Sequence, residues 1–68
     1  MPVISVTMGE GQATSQQKKD LIECFTANAT KITGIPANAF TILIHELDAT
    51  SIGIGGETLA EKRAAMIG

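Results

Sequence analysis

Apolar residues mark two strand-like runs along this chain, separated by one helix-like run. Val3–Met8 reads VISVTM, with Ile4, Val6 and Met8 alternating against Val3, Ser5 and Thr7, the two-residue period of a sheet. Gly9 and Gly11 close that run. Thr14 and Gln17 then stand at the spacing in which a hydroxyl and an amide satisfy the free donors of a helix start. Leu21, Phe25, Ala29 and Ile32 recur on one face, with Ile22 beside them, and predict a helix running to about Thr33. Gly34 supplies a C-terminal stop and Pro36 forbids continuation. Phe40–Glu46, FTILIHE, is apolar on both faces until its end, the pattern of a strand covered on both sides. Leu47–Ser51 reads as a loop, the glycine-rich Ile52–Glu57 as a turn or short hairpin, and Thr58–Met66 as a short helix.

The layout is one β-α-β unit, so the two strands are expected to be parallel and the crossover right-handed. The fold class is α/β, with the unit followed by a short C-terminal hairpin. Two strands alone are not stable and leave open edges. Pairing of units into four-stranded sheets, with helices on one face, answers both faults.

Size points the same way. The 68 residues form a single domain, 1–68. A chain this short buries only about 60% of its unfolded surface. It carries one cysteine and one histidine, so neither a disulfide within the chain nor a clustered metal site is available as a staple. Yet 44% of its residues are hydrophobic, and that much aliphatic surface predicts a tight homo-oligomer.

Charge narrows the partners. The net charge is −2, no basic stripe is present, and Phe25 and Phe40 are the only aromatic residues, which argues against nucleic acid. No apolar run reaches the ~18 residues that span a bilayer. No charged and then apolar leader opens the chain. The expected location is the cytoplasm, with no membrane partner.

Pro2 is the first candidate for chemistry. A proline is tolerated at the first position of a strand. With Met1 removed, however, Pro2 becomes a terminal secondary amine in a nearly rigid ring. A terminal amine titrates near ~8 in solution. An apolar pocket disfavours its charged form and lowers that value toward neutrality, where a general base transfers protons best. With Met1 retained, Pro2 is an amide and has no basic nitrogen.

Three features stand together: Met1-Pro2 opening a strand, TILIHE as the second strand, and GIGGE shortly after it. In that order, and in a chain of this length, they resemble the 4-oxalocrotonate tautomerase family over essentially the whole sequence. The resemblance implies a cofactor-free enzyme, a hexamer built as a trimer of dimers, and Pro2 as general base and then acid. It implies substrate contacts from Gly9 and the backbone near Met8, and from Gln12, Thr41 and Ile52. Val3 and Ile52 are expected to line the apolar pocket.

The chain departs from the family at three of those places. Gln12 (or Ala13, if a one-residue insertion falls earlier) and Thr41 occupy positions where the family carries arginines, and Ile52 occupies that of a wall aromatic. Arginines grip carboxylates with bidentate, charge-assisted bonds. Their replacement leaves the base in place and changes what is recognised, from dicarboxylates toward monoacids. The expected activity is keto–enol tautomerisation of small 2-hydroxy-dienoate or enol-pyruvate acids such as 2-hydroxymuconate. The rival readings are a hydratase or dehalogenase on the same scaffold and a non-catalytic oligomeric binding protein.

The remaining polar residues read more plainly. His45 shares a strand face with Thr41 and Leu43 and suits the polar end of a core strand at a subunit contact better than catalysis. Glu46 and Asp48 are expected to be solvated or ion-paired. Cys24 is expected to be a small buried or half-buried helix thiol rather than a nucleophile. Gly53, Gly55 and Gly56 lack the lysine of a phosphate loop and suit a hairpin. Lys62 and Arg63 are surface charges, with Arg63 a lesser candidate for a substrate carboxylate across an interface.

Overall fold

The computed structural model describes residues 1–67, the Ile67 side chain apart. Strand β1 (Val3–Gly9) leads into helix α1 (Ser15–Thr33), and strand β2 (Thr41–Leu47) follows. A two-stranded hairpin, β3 (Gly53–Ile54) and β4 (Glu57–Thr58), and helix α2 (Leu59–Ile67) complete the chain. β1 and β2 pair in parallel, Val3 opposite Thr41 through Gly9 opposite Leu47. The β-α-β unit and the antiparallel hairpin read from the sequence are both present.

Local chemistry sets the boundaries. The Thr14 hydroxyl accepts from the Gln17 backbone N–H at 3.1 Å, and the Gln17 side-chain Oε1 accepts from the Thr14 backbone N–H at 2.8 Å. This reciprocal pair satisfies two donors that the first turn of α1 would otherwise leave free. Gly34 ends the helix at φ 77°, a left-handed conformation that a Cβ disfavours. The strands run one residue past their expected ends, because the parallel register still pairs Gly9 with Leu47. Phe40 instead closes a 3-10 turn at Ala37–Ala39. The expected loop after β2 contains a second such turn, Ala49–Ser51, capped by Asp48. Gly55 and Gly56 join β3 to β4 with φ 62° and 91°, the two positive values a tight hairpin turn needs.

The pleat divides the sheet into unlike faces. Ile4, Val6, Met8, Ile42 and Ile44 are half-buried, while Val3, Ser5, Thr7, Leu43, His45 and Leu47 are exposed on the other face. α1 covers the first set, with Leu21, Phe25 and Ala29 half-buried. Ile32, expected on that apolar face, is instead 82% exposed in the last turn, where no described element reaches it. No hydrophobic side chain among the described residues is buried. The radius of gyration is 15.8 Å, against the about 11 Å of a compact domain of this length. The principal extents are 49 × 24 × 15 Å. No described helix is long and apolar enough to cross a membrane.

Candidate active site

The parallel pairing collects the starts of both strands at one end of the sheet. There the Thr41 N–H donates to the Pro2 carbonyl at 3.0 Å, extending the ladder one residue beyond β1. Pro2 is half-buried and its nitrogen, lacking a hydrogen, makes no ladder bond. Met1 before it is 91% exposed, so its removal uncovers no packed surface. Thr41 is the register partner of Val3 and its side chain shares that residue's face. Val3 itself is 49% exposed.

The opposite end brings Gln12 beside Gly9. Gly9 is buried at the close of β1, and the Gln12 N–H reaches back to its carbonyl at 3.4 Å. The Gln12 side-chain amide lies directly over Gly9, with Nε2 only 3.0 Å from where a Cβ would stand. The neighbouring Glu10 N–H donates to Leu47 at 2.7 Å, tying this turn to the end of β2. A cleft of about 520 Å³ opens beside it, between the end of β1 and the first turns of α1. Met8, Ala13, Leu21 and Cys24 give the cleft apolar walls, and Gln12 and Asp20 stand at its polar side. Ile52 follows the turn after β2 and is half-buried, its carbonyl accepting from the Leu59 N–H at 2.8 Å.

The five candidate residues therefore divide, Pro2 and Thr41 at one end and Gly9 and Gln12 at the other, with Ile52 after the turn that follows β2. Seven residue steps of strand lead from Pro2 to Gly9, a span of roughly 23 Å at ~3.3 Å per residue. No single copy of the chain brings the base to the amide.

The nearby carboxylates are already engaged. Lys18 Nζ stands 2.6 Å from Glu46 Oε1. That hydrogen bond holds the Glu46 carboxyl below the usual range, with Lys18 charge and the Gly11 backbone acting the same way. The Asp48 carboxyl is also held low, first by the Thr50 hydroxyl and then by the Thr50 backbone N–H. Each is bound to its own partner, and the two do not form an acid–base pair. Lys62 pairs with Glu57 at 3.8 Å, and Arg63 is exposed on α2. Among the described residues no group of His, Cys, Asp and Glu is placed to hold a metal.

Cys24 departs from its expected buried or half-buried setting. It is exposed, and its Sγ accepts from Asn28 Nδ2 at 3.3 Å. Together with Leu21 it belongs to the cleft, which the sequence reading did not anticipate. The spacing 17, 21, 24, 28 marks a second helical stripe flanking the apolar one, and that stripe was the available signal.

The family model described as tautomerase enzyme matches residues 2–62. A probable tautomerase of Bacillus cereus is 37% identical over 62 residues, covering 91% of this chain and 100% of that protein. A structure from a study of the 4-oxalocrotonate tautomerase isozymes of Methylibium petroleiphilum superposes with a TM-score of 0.87 at 28% identity, over 94% of this chain and 98% of that one. A heterohexameric 4-oxalocrotonate tautomerase from Chloroflexus aurantiacus gives a TM-score of 0.80 at 30% identity, over 90% and 97% of the two chains.

Proposed function

The chain belongs to the tautomerase family, and from that premise we propose that it is a cofactor-independent keto–enol tautomerase of small 2-hydroxy-dienoate or enol-pyruvate acids. Pro2, freed of Met1, is the proton carrier. Its amine takes the proton of the substrate's 2-hydroxyl, the oxygen's electron pair forms the carbonyl, and the prolinium returns the proton to a carbon of the conjugated chain. The observation that carries this reading is the position of Pro2. Its carbonyl is committed to Thr41 in the ladder while its nitrogen lies outside the hydrogen-bond network, behind a residue that packs on nothing.

Recognition of the acid falls to neutral groups. The Gln12 amide offers N–H donors, the Thr41 hydroxyl offers one more, and Ile52 supplies apolar wall. Neutral donors hold one carboxylate with less energy than a bidentate arginine does, which favours monoacids.

Assembly completes the site. The outer edge of β1 is unpaired among the described residues. Antiparallel pairing of two such edges makes a four-stranded sheet and lays the Pro2 end of one copy beside the Gly9–Gln12 end of the next. This closes the roughly 23 Å gap that the strand rise imposes within one copy. Three such dimers make the hexamer that the family resemblance implies, and the six-chain assembly of the Chloroflexus protein supports it.

The test is ketonisation of 2-hydroxymuconate and of phenylenolpyruvate, followed by ultraviolet absorbance on protein whose intact mass lacks one methionine. Native activity that falls about 10²–10⁴-fold in Pro2→Ala, the range of general acid–base catalysis, supports the mechanism. Equal rates in both proteins, or none in the processed native chain, overturn it for these substrates.

A further inference from the structure

The connection from β1 to α1 carries Gln12, yet little within it fixes that residue. The Gln12 N–H reaches the Gly9 carbonyl at 3.4 Å, longer than the ~2.7–3.2 Å of a good bond. Gly11, just before it, stands at φ 81° with nothing within 4 Å of where a Cβ would be. Glycine is also the residue with the most backbone freedom to lose. A turn of this kind keeps one shape only when its two ends are held.

Two bonds from outside hold them. At the β1 end, the Glu10 N–H donates to the Leu47 carbonyl at 2.7 Å. At the α1 end, Lys18 Nζ donates to Glu46 Oε1 at 2.6 Å. The Lys18 N–H also donates to the Thr14 carbonyl at 2.9 Å, which passes that anchor to the residue closing the connection. Glu46 is the register partner of Met8 and precedes Leu47, so both anchors meet the same end of β2. Among the described residues, every other side-chain hydrogen bond joins residues two to four positions apart. The Lys18–Glu46 bond spans 28 positions and ties α1 to the sheet. Lys18 first, and the Gly11 backbone after it, hold the Glu46 carboxyl below its usual range. The carboxylate therefore lies beside the turn as well as beside α1.

We propose that the Lys18–Glu46 pair is a positioning device: it holds the turn from Gly9 to Gln12, and so keeps the Gln12 amide in the one place from which it meets a substrate carboxylate. The inference rests on the reading of Gln12 as a substrate contact given above, and adds what keeps that contact in place. Neither Lys18 nor Glu46 touches the reacting atoms in this scheme. Both act through Gln12.

The setting of the pair suits a local role. The two side chains are 30% and 29% exposed, and an ion pair that water still reaches adds little to global stability. Its effect falls on the turn. Freedom removed before the substrate arrives is not lost again on binding, so a preordered contact binds more tightly. The amide meets the carboxylate alike in the bound substrate and in the transition state. Loosening it therefore raises KM and leaves kcat in place.

The experiment measures kcat and KM for ketonisation of phenylenolpyruvate by the full chain and by Lys18→Met, Glu46→Ala and Glu46→Gln, each also in the Gln12→Ala background. Amide hydrogen exchange and melting curves accompany the kinetics. Lys18→Met and Glu46→Ala should raise KM about three- to tenfold, part of the roughly ten- to hundredfold that loss of a charge-assisted hydrogen bond brings, with kcat within about twofold of native. Glu46→Gln keeps an acceptor for Lys18 and should fall between these variants and the native chain. The Glu10–Gln12 amides should exchange at least about tenfold faster in the two broken variants, while those of α1 hold. Without Gln12, neither variant should raise KM further. If one of the two fails to fold, the other carries the test. An unchanged KM in an active chain, an equal loss in kcat, or undisturbed exchange at the turn overturns the proposal. So does a KM rise that persists in full in the Gln12→Ala background, which would give Lys18 or Glu46 a part of its own. A processed native chain without activity overturns the functional reading, and this proposal with it.

Discussion

Replacing Gly9 by alanine tests whether the Gln12 amide works from the place where the fold holds it. Gly9 does not have a positive φ, so the backbone accepts a Cβ without strain. The new methyl would stand 3.0 Å from Gln12 Nε2 and 3.2 Å from its Cδ. Comfortable contact begins near ~3.5 Å, so the amide must retreat by roughly 0.5 Å or swing away. A glutamine side chain does this easily, and the unfolded chain loses freedom, so the fold should gain about 0.4–1 kcal/mol. Melting should rise by about 2–8 °C. A hydrogen bond to a substrate carboxylate is a different matter, because it demands the amide in one place. Losing it costs about 1.5–3 kcal/mol, a fall of roughly ten- to a hundredfold in kcat/KM. The assay is ketonisation kinetics on Gly9→Ala, Gln12→Ala and the double variant, with melting curves beside them. Gly9→Ala should be more stable and less active, and it should cost nothing further once Gln12 is gone. A drop in kcat/KM that persists in full in the Gln12→Ala background would refute the reasoning. So would a melting point several degrees below native.

Three further outcomes follow from the same geometry. Thr14→Ala removes the acceptor for the Gln17 N–H and should cost about 1 kcal/mol, read as a lower melting point that Thr14→Ser restores. Gly34→Ala puts a Cβ at φ 77° with no compensating contact and should cost about 1 kcal/mol in denaturant unfolding. Glu46 has its carboxyl held below the usual range in the fold, so its contribution is present above the unfolded value near ~4.3 and is lost as pH falls through the folded one. Glu46→Gln should therefore flatten the acid limb of the stability curve and leave the neutral region little changed; an acid limb as steep as native would remove the Lys18 pair as its cause.

Neighbouring residues alone determined much of this protein. The two-residue alternation of Val3–Met8 specified a strand, the Thr14–Gln17 pair began the helix, Gly34 ended it, and the adjacent Gly55 and Gly56 turned the hairpin. Each depends on groups within about four residues, so the order of residues is sufficient information. Parallel pairing also followed, because a helix between two strands returns the chain to the end where it started. Tertiary structure alone decided the rest. Ile32 fits the apolar spacing of the helix yet lies 82% exposed, since spacing names a face and says nothing of what covers it. Cys24 is exposed at the wall of a cleft, since helical spacing sets it beside the apolar stripe and says nothing of what lies over it. Above all, Pro2 and Gln12 are close in any list of candidates and distant in the chain. A strand is straight and rises about 3.3 Å per residue, so residues at its two ends meet only when a second strand runs the other way beside it.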